Sequence, residues 1–208
     1  ETWFGTRGIS KQTLSDLQVT EGSEWMPQTS KNENTIQFNY FMGDQLINVK
    51  YRDGRKNFKL YKGAEKVFYN INSIVGYDWC VIVEGEMDVL ALHEAGIKNA
   101  ISVPNGATLN SNNLDYLDNC IDYLDDKTKI ILAVDADEAG QALRQEFIRR
   151  LGAEVCYLVD FNGQKDANEY LIENGGEELR NAIHAATQVP LEGVTTLYDI
   201  QDEVKEFV

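Results

Sequence analysis

The chain has 208 residues, 43% of them hydrophobic and 25% charged, and carries a net charge of −15. That length suits one domain or two small lobes, with enough interior to need neither disulfides nor a structural metal. The acidic balance argues against a general nucleic-acid binder, and the longest apolar runs, CVIV and IILAV, are far too short to span a bilayer.

The opening segment, TWFGTRGISKQTLSDLQV, reads as a short helix begun at Ser10 or Thr13, with Ser10 as N-cap and Leu14 and Leu17 on one face. From about Thr35 to Tyr69 the pattern alternates with period two. TIQFNYFM, LINVKYR and NFKLYKG read as strands, turned at Gly43-Asp44 and Asp53-Gly54. Residues 48–66 hold seven Lys or Arg against two Asp or Glu, a local balance of +5 that leaves −20 on the remainder. Strand alternation is expected to place many of these cations on one face of a small antiparallel sheet.

After Gly76 strands and helices alternate. CVIVEGEMDVLALHEAG is a buried strand, a tight turn and a helix stopped at Gly96; NAISVPNGA is a second strand, and Leu114–Leu124 is helical. KIILAVDADEAGQALRQEFIRRLGAEVCYLVD gives strand, loop, helix and strand, and KDANEYLIENGGEELRNAIHAA gives one or two closing helices. This order means βαβ crossovers and a mostly parallel sheet flanked by helices. We expect a basic α+β subdomain over 1–75, an α/β domain over 76–188 and a linker over 189–208. Cys80 and Cys156 fall in apolar runs and read as buried thiols. With Cys120 they form no CxxC pair, so no four-ligand zinc site exists and a reducing compartment is favoured. The chain opens on Glu1 without a signal peptide, so we expect a piece cut from a longer protein. His93 and His184 read as structural, and Trp3, Trp25 and Trp79 as packing residues rather than base-stacking ones.

Three strands of the α/β half end in carboxylates. Glu84 ends VIVE, with Asp88 one turn into the next helix; Asp135 and Asp137 follow ILAV; Asp166 lies past a strand and near a helix start. Ligands of open α/β sheets bind outside the carboxyl ends of strands. Five acids in one crevice repel each other and raise their own pKa values unless a cation sits among them. Oxygen donors suit Mg²⁺ or Mn²⁺, and two such ions can activate a 3′-hydroxyl and stabilise a leaving pyrophosphate. A lone DxD is usually a solvated acidic loop, and the EGE turn alone is equally cheap. Their order, each after an apolar strand, carries the weight.

The run EGEMD, then DADEAG, then KDANE resembles the Toprim domain of DnaG-type primases, topoisomerases and some nucleases. Its form is most similar to the bifunctional primase–helicases of phages and their Twinkle-like relatives, over roughly Tyr77 to Glu173. Upstream, RGISKQTL resembles the helix that opens such primase cores, and VKYRDGRKNFKLYKGAEKVFYNI their basic segment; GVTTLYDIQDEV is similar to the linker into their hexameric helicase. The resemblance implies a metal-dependent DNA primase that makes short RNA primers from NTPs on single-stranded DNA during replication. Carried over by position, Glu84 is general base or metal ligand, Asp135 and Asp137 hold the catalytic metals, and Asp88 and Asp166 support them. Lys50, Arg52, Lys56 and Lys59 face nucleotide or template, and Lys165 reaches a phosphate. Asn168 stands where many DnaG-type primases carry another aspartate. The implied partners are the template strand, NTPs, and the zinc-binding and helicase domains of a full-length chain, in a bacterial or phage-infected cytoplasm and with no membrane. No GxxxxGK[ST] loop is present to power strand separation.

Two other readings stay open: a Toprim nuclease using water as nucleophile, and a non-catalytic module binding DNA or partners. The basic segment and the helicase-like linker favour the primase over the first, and retention of all five acids argues against the second. A haloacid-type phosphatase would carry a threonine soon after its DxD, where this chain has Ala139 and Gly140.

Overall fold

Period-two alternation in the first third folds as a four-stranded antiparallel sheet in the computed structural model, which describes residues 2–106 and 114–190. Its strands are β1 (Thr20–Met26), β2 (Lys31–Met42), β3 (Gln45–Asp53) and β4 (Phe58–Leu60), in that spatial order. The sequence does not announce β1, because TEGSEWM is a polar edge strand with only Met26 buried. The turn after β2 places Gly43 at φ +58, where glycine carries no steric penalty. The next turn is capped by Asp53, whose Oδ1 accepts from Arg55 N at 2.8 Å and Asn57 N at 2.9 Å.

The strand–helix alternation beyond Gly76 gives a second sheet in the order β6-β5-β7-β8-β9. Here β5 is Trp79–Val83, β6 Ala100–Ser102, β7 Lys129–Leu132, β8 Cys156–Leu158 and β9 Thr187–Gln188. The first four are parallel, and β9 runs antiparallel to β8. Cys80, Val81, Ile82 and Val83 are fully buried, as a strand covered on both faces requires. The helices are α1 (Thr2–Gly5), α2 (Lys11–Asp16), α3 (Glu86–Glu94), α4 (Asp115–Asn119), α5 (Glu138–Leu151) and α6 (Ala167–His184). α2 is N-capped by Ser10, whose Oγ accepts from Thr13 N at 3.2 Å.

The Leu114–Leu124 segment forms only α4 and a 3-10 turn at Ile121–Tyr123. Its aspartates and asparagine are weak helix formers. α6 kinks at Gly175, φ +86. The linker expected over 189–208 lies almost wholly outside the described residues.

The two sheets share one core. Phe38 and Tyr40 of β2 meet Tyr69 edge-on at 5.9 and 5.2 Å, within the same cluster of buried residues as the β5 and β7 side chains. The N-terminal helices pack on the second sheet's layer: Ser10 N donates to Glu94 Oε1 at 2.5 Å, and Asn168 Nδ2 donates to the Arg7 carbonyl at 2.9 Å. The four-stranded sheet lies before residue 75 and the five-stranded sheet after it, and one cluster of buried residues joins them.

Candidate active site

The chain leaves β5, crosses through α3 to β6 on one side, and later returns as β7 on the other. The crevice between the carboxyl ends of β5 and β7 is thus a topological switch point, the usual ligand position in such sheets. Glu84 follows β5 and Asp135 lies just past β7. The two are tied together, since Glu84 Oε1 accepts from Asp135 N at 3.0 Å.

Two more acids reach the crevice as helix caps. Asp137 Oδ1 accepts from Gly140 N at 3.0 Å to begin α5, and Asp166 Oδ1 accepts from Glu169 N at 2.8 Å to begin α6. Gly140 permits the approach of α5: a Cβ there would lie 2.2 Å from the Asp135 carbonyl oxygen and 2.5 Å from Glu84 Oε1. Asp88 is buried in the first turn of α3 and accepts from Asn168 N at 3.1 Å.

The electrostatics record this gathering. Burial, then Asp166 and Asp135, push the Asp88 carboxyl well above the usual range. Burial also raises Asp135, opposed by the Lys165 ammonium and reinforced by Asp166 and Asp137. Lys165 Nζ lies 2.8 Å from Asp135 Oδ2 and 3.8 Å from Asp137 Oδ2, and Asp135 raises the Lys165 pKa in return. Among the described residues no three such side chains are arranged as ready metal ligands. The donor set is nonetheless all oxygen, which suits a hard divalent cation, and its raised carboxyls mark negative charge that a cation would relieve.

The basic segment departs from expectation. Lys50 and Arg52 share one face of β3, but Lys59 pairs opposite Tyr51 and so lies on the other. There Lys59 Nζ meets Glu24 Oε1 at 2.5 Å. Lys50 is buried against Glu86, its Nζ 2.9 and 3.0 Å from the two carboxylate oxygens, while Tyr40 donates its hydroxyl to the same group. The Arg52 guanidinium lies 4.3 Å from the Trp3 ring centroid and 6.0 Å from that of Phe58. Lys56 is exposed in the β3–β4 turn. A groove of about 660 Å³ runs across this face, lined by Trp3, Ser23, Asn34, Ile36, Arg52 and Gly54.

Sequence reasoning passed over Glu86, whose partners are 46 and 36 residues away in the chain. It also missed Asn168 as a joint, binding Asp88 through its backbone and Arg7 through its side chain.

Residues 81–171 match a family model described as Toprim-like. The chain is 33% identical over its whole length to the Twinkle homolog protein of Arabidopsis thaliana and 36% identical, over 92% of its length, to the primase homolog protein of that plant. It spans 31% and 60% of those two relatives. The primase fragment of the bacteriophage T7 primase-helicase superposes with a TM-score of 0.72 at 25% identity, covering 86% of this chain and 72% of that fragment.

Proposed function

Since this chain is a Toprim primase core, its Toprim-like domain set against a small basic sheet, we propose that it performs template-directed synthesis of RNA primers from NTPs on single-stranded DNA. The observation that supports the proposal is the Glu84–Asp135 hydrogen bond at the switch point, with Asp88, Asp137 and Asp166 near enough to act on these groups electrostatically. The comparisons support it through their primase relatives, and the T7 likeness suggests linkage to a helicase in a longer protein.

Asp135 and Asp137 are the residues to hold a divalent ion, with Glu84, Asp88 and Asp166 around them. The ion, Mg²⁺ or Mn²⁺, would supply Lewis-acid charge for the attacking 3′-oxygen and the leaving diphosphate. Glu84, held by Asp135 N, would accept the 3′-hydroxyl proton or join the ion's ligands. Asn168 and Asp88 align the start of α6 with α3, and Gly140 lets α5 close on the acids. The groove beside Trp3 and Arg52, with exposed Lys56 two residues beyond Gly54 of its lining, is the track for template or nucleotide, held by charge and ring stacking.

The test is dinucleotide synthesis from labelled NTPs on single-stranded DNA, with Mg²⁺ or Mn²⁺, for the chain and its Asp135→Asn variant. Product from the first and none from the second is expected. Metal-dependent DNA cleavage without product would instead identify a nuclease.

A further inference from the structure

We propose that a second cleft, behind the acidic loop, is a binding site for a diphosphate group. The cleft has a volume of about 280 Å³ and lies past the ends of β7 and β8, lined by Val134, Val159 and Phe161. Its polar walls are Gln141, Arg144, Gln164 and Lys165. Arg144 comes from the second turn of α5, and its Nε is buried with no hydrogen-bond partner. Gln164 Oε1 is likewise buried and unpaired, while its amide nitrogen donates to Glu173 Oε2 at 2.8 Å.

Buried polar atoms are normally satisfied, and an unpaired one is costly. A guest that accepts from Arg144 Nε and brings a hydroxyl or a held water to Gln164 Oε1 would satisfy both. Arg144, with its Nε unpaired, makes that guest an anion, and its guanidinium fork suits phosphate oxygens, whereas Lys165 is already shared by Asp135 and Asp137. Asp160 also lines the cleft, but its Oδ1 is already engaged by Asn162 N at 2.7 Å. Ala136, between Asp135 and Asp137, lines the cleft as well, which puts the anion beside the proposed reaction centre.

The source of the diphosphate rests on the primer-synthesis reading. In that reaction the 3′-oxygen forms a bond to the α-phosphorus, the α–β anhydride breaks, and its electron pair leaves on pyrophosphate. The cleft would hold either that product or the β,γ end of the bound nucleotide.

Calorimetric titration of inorganic pyrophosphate in Mn²⁺ tests the site, using the chain, Arg144→Leu and, at an exposed position where folding is not at stake, Gln141→Leu. At least tenfold weaker binding is expected for Arg144→Leu and a smaller loss for Gln141→Leu, with Mn²⁺ affinity unchanged. In dinucleotide synthesis, weaker product inhibition at constant KM identifies the leaving group, and a raised KM identifies the nucleotide. Unchanged pyrophosphate affinity, product inhibition and KM in both variants, with unfolding midpoints like the parent's, would overturn the proposal. A chain that makes no dinucleotide would remove the primase reading, yet the pyrophosphate titration would still decide the cleft.

Discussion

Lys50 on β3 clamps Glu86 on α3 in a nearly dry ion pair, with Nζ 2.9 and 3.0 Å from the two carboxylate oxygens. Lys50 is 9% and Glu86 3% exposed, and the Tyr40 hydroxyl adds a third contact. Two strands of the basic sheet are thereby fixed to the helix that follows Glu84. Lys50→Ala would leave a carboxylate buried without its cation, a loss expected to cost about 3–5 kcal/mol. Urea unfolding should show it as a lower midpoint at constant slope. The pair Lys50→Met and Glu86→Gln should recover much of the loss, because neither side then buries an unmatched charge. A Lys50→Ala midpoint equal to the parent's would mean that the clamp does not hold the sheets together.

Gly140 lets α5 approach the acids closely. A methyl group there meets the backbone oxygen of Asp135, which cannot swing away, as well as Glu84 Oε1. Gly140→Ala should therefore move the Asp135 loop and cost about 1–3 kcal/mol, as overpacking does. It should also sharply reduce dinucleotide synthesis. Gly5→Ala is the control, since nothing lies within 4 Å of its Cβ position and it lines neither cleft. Equal behaviour of the two variants would contradict the tight fit.

The Toprim half was legible because its strands are apolar runs and its acids stand at fixed offsets from them. Ser10 as a cap and the βαβ order also follow from local pattern. Local pattern does not reveal partners distant in sequence. Lys50 looked like a free cation on an alternating strand, and only the pairing of β3 with β2 brings it beside Tyr40 and Glu86. Lys59 looked like its neighbour on one face, but the turn capped by Asp53 sets a register that puts it opposite Tyr51. β1 was silent because an exposed edge strand needs no apolar alternation. Lys165 read as a phosphate contact, whereas its ammonium lies 2.8 Å from Asp135 Oδ2 and 3.8 Å from Asp137 Oδ2, a pairing that depends on separate strand ends meeting.

His93 of α3 joins Asp16 of α2, with Nε2 3.1 Å from Oδ2. Burial lowers the imidazole below its ordinary 6.5, despite the opposing pull of the Asp16 hydrogen bond; Lys98 lowers it further and Glu94 raises it. The unfolded chain thus takes up this proton at higher pH than the folded chain. The contribution to stability is fully present above pH 6.5 and is lost as pH falls below it. His93→Gln should flatten that part of the urea-midpoint profile relative to the parent. Parallel profiles through the whole window would show that His93 titrates alike in both states.

Lys56 and Asp135 separate nucleic-acid binding from chemistry. Lys56 is exposed in the β3–β4 turn, so Lys56→Ala should fold as the parent does, unlike Lys50→Ala. If it touches a phosphate, its loss should reduce the slope of log affinity for single-stranded DNA against log salt by roughly 0.7. A charged contact removed is worth about 1.5–3 kcal/mol, hence tenfold or more in apparent affinity. Asp135→Asn should do the reverse. It removes an anion from the crevice, so attraction to phosphate cannot fall directly, while the carboxylate proposed to hold the ion and pair with Lys165 loses its charge. Dinucleotide synthesis should vanish with DNA affinity kept or slightly raised. Both variants belong in one panel, read by DNA binding at several salt concentrations and by product formation. Lys56→Ala with unaltered affinity and slope would move the template track away from that turn, and Asp135→Asn with normal synthesis would remove the reaction centre from the switch point.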